Sequence, residues 1–85
     1  MELKIQFEQA VTDSKTLFHK PDNATLLSLY SLYKQSTYGD VSGDGPSNPF
    51  DFVAKAKFNA WEEQKGKTKE TAMQEYIDIV KKLKG

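Results

Sequence analysis

This sequence predicts an all-α fold, and three observations support that. Apolar residues recur at three- and four-residue spacings in four separate stretches, the period of an amphipathic helix. The stretches are separated by Pro, Gly and Asp residues of the kind that stop and cap helices. No strand or hairpin signature competes with them. One connection is longer than the others, which suits a four-helix bundle. The 85 residues make a single domain, 1–85, with a core large enough to fold alone and little to spare.

The first helix is expected from about Leu3 to Phe18, with Phe7, Ala10, Val11, Leu17 and Phe18 on one face. Ser14 interrupts that stripe and Lys15 borders it. Ser14 is either a short side chain at a tight helix crossing or a sign that the face lines a pocket. His19-Lys20-Pro21-Asp22 then ends the helix, since proline cannot continue it and Asp22 can cap the next. His19, the only histidine, reads as a dipole partner at the helix end rather than a ligand or base.

The second helix is expected from about Asn23 to Thr37. Leu26, Leu29, Tyr30, Tyr33 and Thr37 would form its inner face, with Leu27 and Lys34 on one flank. Residues Tyr38 to Asn48 form a break rich in Gly, Pro, Asp and Ser. Asp40 and Asp44 lack the spacing of a calcium loop. The third helix opens at Pro49 or Phe50 and runs to about Gln64. Phe50, Val53, Ala54, Phe58, Ala60 and Trp61 make its broad apolar face, and Lys57 falls near the centre of it. A lysine there must reach water by snorkelling or meet an anion. Gly66 closes this helix and Thr68 caps the fourth, whose stripe is Met73, Tyr76, Ile77, Val80 and Leu83. The Tyr76 phenol needs a partner at the core edge. Lys81, Lys82 and Lys84 make a solvated basic end.

Composition removes several functions. Without cysteine there is neither a disulfide nor a thiolate metal site. The charges balance at 12 against 12 and every cation is a lysine, which argues against nucleic-acid binding through a basic field. No apolar run reaches the roughly 20 residues of a membrane span, and the start lacks a signal-peptide layout. A soluble cytoplasmic protein without membrane insertion is the expectation. A lone histidine and the diverging Glu62-Glu63 pair give no nucleophile with its base and no carboxylate dyad. The chain is therefore not expected to be an enzyme, and no cofactor or metal is implied.

What remains is binding. Tyr30, Tyr33 and Lys34 form one compact patch on a helix, and Lys57, Tyr76 and Lys15 are further polar or charged residues on or beside apolar faces. If these faces converge, they make a groove with apolar walls and lysines at its rim. A matching ligand combines an apolar tail, an aromatic ring and phosphates.

With these residues in view, the sequence resembles the acyl-CoA-binding protein family of small four-helix carriers. The resemblance rests on Tyr30-Ser31-Leu32-Tyr33-Lys34-Gln35-Ser36-Thr37-Tyr38-Gly39-Asp40, on Lys55-Ala56-Lys57-Phe58-Asn59-Ala60-Trp61, and on Lys65-Gly66 followed by Ala72-Met73 and Tyr76-Ile77. It implies an up-down-down-up bundle, a monomer that binds one medium- to long-chain fatty acyl-CoA and acts as an acyl-CoA carrier and pool buffer. It implies that Tyr30, Tyr33, Lys34 and Lys57 meet the CoA head, with the two lysines on its 3′-phosphate, and that Lys15 and Tyr76 add contacts. Transient contact with acyl-CoA-using enzymes is part of that implication. Phe58 stands where the family commonly has tryptophan, Val53 where it often has lysine, and the loop at Gly45-Pro46-Ser47-Asn48-Pro49 is longer by one residue. The alternative is a helical protein-interaction module without a CoA ligand.

Overall fold

The computed structural model describes residues 2–17, 19–43 and 45–84. Four helices carry them: α1 (Glu2–Ser14), α2 (Asn23–Thr37), α3 (Phe52–Glu63) and α4 (Lys69–Lys84). No strand occurs among the described residues. Local chemistry sets each boundary. Asp22 caps α2 by accepting from the Thr25 amide at 2.8 Å, and Asp51 caps α3 by accepting from the Ala54 amide at 3.0 Å. Thr68 caps α4 by accepting from the Thr71 amide at 3.0 Å.

Two boundaries differ from the sequence expectation. α1 ends at Ser14 rather than near Phe18. The Thr12-Asp13-Ser14 run supplies the reason. The Ser14 hydroxyl donates to the Val11 carbonyl at 2.7 Å, and the Lys15 and Thr16 amides turn back to Thr12 and Asp13. These short-range bonds tighten the last turn and stop the helix. Leu17 and His19 therefore lie beyond the helix, so His19 does not occupy its last turn. Phe18, expected on the same stripe, lies outside the described residues. α3 starts at Phe52, later than Pro49 or Phe50, because Asn48 Oδ1 accepts from the Phe50 amide at 2.9 Å and forms a turn that feeds the Asp51 cap.

α4 is the central helix. It packs on α1 and α2, and α2 in turn packs on α3. Asp13 near the end of α1 meets Lys84 at the end of α4 at 3.1 Å, so these two helices run parallel. Gln35 near the end of α2 donates to the carbonyl of Lys67, just before α4, so α2 and α4 are antiparallel. Asn23 and Leu26 at the start of α2 lie beside Phe52 and Val53 at the start of α3. Trp61 near the end of α3 donates to the Gly39 carbonyl just past the end of α2, so α2 and α3 are parallel. The bundle is thus up-down-down-up, in a flattened body of 37 × 28 × 15 Å.

Among the described residues the core comes from three helices: Phe7 and Ala10, Leu29 and Leu32, and Ala72, Tyr76, Ile77 and Val80. The fourth-helix stripe holds at Tyr76, Ile77 and Val80, while Leu83 is 37% exposed. α3 contributes no buried residue. On its expected broad apolar face Ala54, Phe58, Ala60 and Trp61 are half-buried, while Phe50 and Val53 are 79% and 66% exposed. The inner face expected for α2 is also corrected. Leu29 is buried, but Leu26, Tyr30 and Thr37 are half-buried and Tyr33 is exposed. The buried positions are instead Leu29, Ser31, Leu32, Gln35 and Ser36.

A polar seam holds α3 to the rest. Gln35 Nε2 donates to Asp40 Oδ1 and to the Lys67 carbonyl, both at 2.8 Å. Asp40 Oδ1 also accepts from the Gly66 amide at 2.9 Å. That amide holds the Asp40 carboxyl below its ordinary value of 3.8, with help from Gln35 and the Lys65 charge. A carboxylate whose folded pKa lies below its unfolded one stabilises the fold fully above the unfolded value. It loses that contribution as pH falls through the folded value. The melting temperature should therefore drop as pH is lowered past 3.8. The Asp40→Asn variant should be less stable at neutral pH and should lose less on acidification. Parallel curves for variant and wild type in melts across pH would show that Asp40 carries none of this dependence.

Candidate functional site

α1 and α2 each pack along α4, and a groove opens between them, bridged by side chains alone where Phe7 meets Tyr33. It continues between α2 and α3. A cavity of about 460 Å³ between Lys4, Phe7 and Val11 of α1 and Tyr33, Ser36 and Thr37 of α2 lies at one end of it, and two adjoining cavities carry most of the residues singled out in the sequence. One, of about 300 Å³, is lined by Val11, Ser14, Lys15, Leu26, Tyr30, Tyr33 and Tyr76 among others. The other, of about 410 Å³, is lined by Leu26, Leu27, Tyr30, Phe52, Val53, Ala56 and Lys57 with Asn23. Leu26 and Tyr30 belong to both, so the two are compartments of one depression.

Helical spacing explains how one helix serves the whole groove. Leu26, Tyr30 and Tyr33 recur at four and three residues and stack along one line of α2. The adjoining side of that helix carries Leu29, Leu32 and Ser36 into the core. Tyr76 reaches the floor from α4. It is only 4% exposed, and its hydroxyl donates to Ser14 Oγ at 3.1 Å. Burial raises the Tyr76 phenol pKa, opposed in part by the Ser14 hydrogen bond. Both readings of Ser14 describe its place: it sits where α1 meets α4, receives the phenol there, and lines the first compartment. The Phe7 ring stacks on Tyr33 with centroids 6.0 Å apart and meets Tyr76 edge-on at 5.2 Å.

The cations gather at the aromatic wall. Lys57 Nζ lies 5.3 Å from the Tyr30 ring centroid, and Lys34 Nζ lies 5.8 Å from the same ring. Lys34 Nζ is also 4.4 Å from the Tyr38 ring and 5.8 Å from the Trp61 ring. Neither lysine, nor Lys15, forms an ion pair among the described residues. Lysine charges held over tyrosine faces without a carboxylate remain available to an anion.

Five of the six residues singled out in the sequence line the groove, and the sixth, Lys34, lies beside it. Lys15, Tyr30, Tyr33 and Tyr76 line the first compartment and Lys57 the second, while Lys34 reaches Tyr30 from beside them. Sequence reasoning missed Pro21, Leu26, Leu27, Phe52 and Ala56 as wall residues. It also missed the part Trp61 plays: its indole N–H donates to the Gly39 carbonyl at 2.9 Å, fixing the ring beside Lys34. Gly39 adopts φ +85°, a left-handed conformation that favours glycine and aims its carbonyl at that indole. The usable signal was the Tyr38-Gly39 break directly after the Lys34 turn. No group of three or more potential metal ligands occurs among the described residues.

The fold and the groove define a class, a small helical binding domain with aromatic walls and lysines at the rim. The family model described as acyl CoA binding protein matches residues 4–80. "Acyl-CoA-binding protein homolog 1" of Caenorhabditis elegans is 42% identical over 81 residues, covering 95% of this chain and 93% of the relative. An "Acyl-CoA-binding protein" of Gossypium hirsutum is 45% identical over 83 residues, covering 98% and 92%. Among solved structures, "Oryza sativa Acyl-CoA-Binding Protein 2" superimposes with a TM-score of 0.89 at 41% identity, covering 95% of this chain and 89% of that one. The chain belongs to the acyl-CoA-binding protein family.

Proposed function

We propose that this protein binds medium- to long-chain fatty acyl-CoA esters in the groove and acts as a carrier and buffer of them, without catalysing a reaction on them. One observation carries the reading: two lysines from different helices converge on the Tyr30 ring where the two compartments meet. Family membership supports it. Lys34 and Lys57 supply charge to the 3′-phosphate, and a tyrosine face stacks on the adenine. Lys15 and Tyr76 add contacts from the α1 side. The acyl tail lies along apolar groove wall, shielded from water by the head group above it. The protein works as a cytoplasmic monomer with one ligand per chain, exchanging it with enzymes that use acyl-CoA.

Calorimetry with palmitoyl-CoA, free CoA and palmitate tests this. Palmitoyl-CoA should bind most tightly, free CoA measurably and palmitate weakest, because head and tail contribute together. Binding of palmitate with no heat from palmitoyl-CoA would overturn the head-group site. Indifference to all three would point to a protein-interaction module.

A further inference from the structure

Neither groove compartment explains how Lys34 is held. It lines neither of them, is half-buried, and forms no ion pair among the described residues. Asp40, the acid nearest to it in sequence, is turned to the Gln35 side chain and the Gly66 amide instead. A half-buried ammonium without a carboxylate needs another source of stabilisation. Three aromatic rings supply it. The Tyr38 ring centroid is 4.4 Å from Lys34 Nζ, and the Tyr30 and Trp61 centroids are each 5.8 Å away. Tyr38 is the nearest of the three, although it is 68% exposed and lines neither compartment. Its amide donates to the Lys34 carbonyl at 2.7 Å and its backbone stays helical just past α2. Tyr30, Lys34 and Tyr38 therefore follow one another a turn apart along one line of the helix. Trp61, tethered by its indole N–H to the Gly39 carbonyl, closes the third side, its ring 6.1 Å from that of Tyr38.

We infer that Tyr38 is a positioning residue for ligand recognition: its ring face holds the Lys34 ammonium at the aromatic wall, ready for a phosphate. The chemistry favours a ring for this task. Fixing a flexible lysine stem costs rotamer entropy, and a stem fixed before the ligand arrives bears that cost in advance. A carboxylate would also fix the ammonium, but it would cancel the charge and occupy the N–H donors. A ring face attracts the charge and leaves donors free on the outer side. Lys57 lies over one described ring, that of Tyr30 at 5.3 Å, and is the less restrained of the two cations. The inference rests on the proposed contact of Lys34 with the 3′-phosphate of acyl-CoA.

The experiment is calorimetry of wild type, Tyr38→Leu and Tyr38→Phe with palmitoyl-CoA and with palmitoyl-3′-dephospho-CoA. Tyr38→Leu should bind palmitoyl-CoA about 2- to 5-fold more weakly, the size of an exposed cation–π contact. Its affinity for the dephospho ligand should equal that of wild type. Tyr38→Phe keeps the ring face and should bind both ligands as wild type does. In a Lys34→Ala background, Tyr38→Leu should cause no further loss. Unchanged or tighter palmitoyl-CoA binding by Tyr38→Leu overturns the inference. Equal losses for both ligands, or a further loss without Lys34, also overturn it, because Tyr38 then acts on the fold or touches the ligand itself. So does Tyr38→Phe behaving like Tyr38→Leu, which would assign the effect to the hydroxyl. A wild type that does not bind palmitoyl-CoA sinks the function reading and this inference with it. A wild type that binds, beside an unaltered Tyr38→Leu, sinks this inference alone.

Discussion

Replacing Lys57 with alanine is expected to weaken palmitoyl-CoA binding by about 1.5–3 kcal/mol, the range for a hydrogen bond to a charged group. That corresponds to a loss of about 10- to 150-fold in affinity. The fold should be untouched, because Lys57 is exposed and has no ion-pair partner to strand. Lys55→Ala is the matched control: a lysine on the same helix, lost from outside the two groove compartments, which should leave solution affinity as it was. Lys34→Ala should also weaken binding, with an added effect from freeing the Tyr38 ring that its ammonium now covers at 4.4 Å. Since both lysines lie over Tyr30, the double variant should depart from additivity, and the cycle measures that coupling. Equal affinity for Lys57→Ala and wild type in calorimetry would remove Lys57 from the head-group site.

The lysines also show why the site was legible in the sequence. A charged residue on a face whose neighbours are apolar is costly unless something uses the charge, so Lys57 between Ala54 and Trp61 could be recognised as out of place. The tyrosine spacing on α2 was readable for the same reason. The fold was readable because breakers and caps at Pro21-Asp22 and Gly66-Thr68 are local chemistry. What hydrophobic periodicity could not separate was a core face from a groove face. Leu26, Tyr30 and Tyr33 have the spacing of an inner stripe, yet they line a groove, while Ser31, Gln35 and Ser36 are buried. On α2 the buried face is largely polar in pattern and the groove face largely apolar, so polarity alone assigns them the wrong way round. Phe50 and Val53 misled similarly, since apolarity on α3 does not signify contact with the bundle.

Gln35 is the position where this ambiguity has the largest consequence for stability. Its side chain is fully buried, and its amide nitrogen joins the loop after α2, through Asp40, to the turn before α4, through the Lys67 carbonyl. Gln35→Ala removes two hydrogen bonds, one of them to a carboxylate, and leaves a void where the side chain was. The expected cost is about 3 kcal/mol. In a domain of this size that lowers the melting temperature by about 12–24 °C. Gln35→Glu should be worse at neutral pH, because it sets a second carboxylate against Asp40 and has no proton for the Lys67 carbonyl. The damage should not stop at stability. The seam fixes the C-terminal end of α3 against α2 through the Asp40 contact to the Gly66 amide, and the placement of Lys57 over Tyr30 follows from that packing. Gln35→Ala should therefore lose palmitoyl-CoA affinity at temperatures where it is still folded, although the residue lines neither compartment. A variant that melts with wild type would show that the seam is dispensable. One that melts early yet binds normally would show that α3 is positioned by its ligand rather than by Gln35.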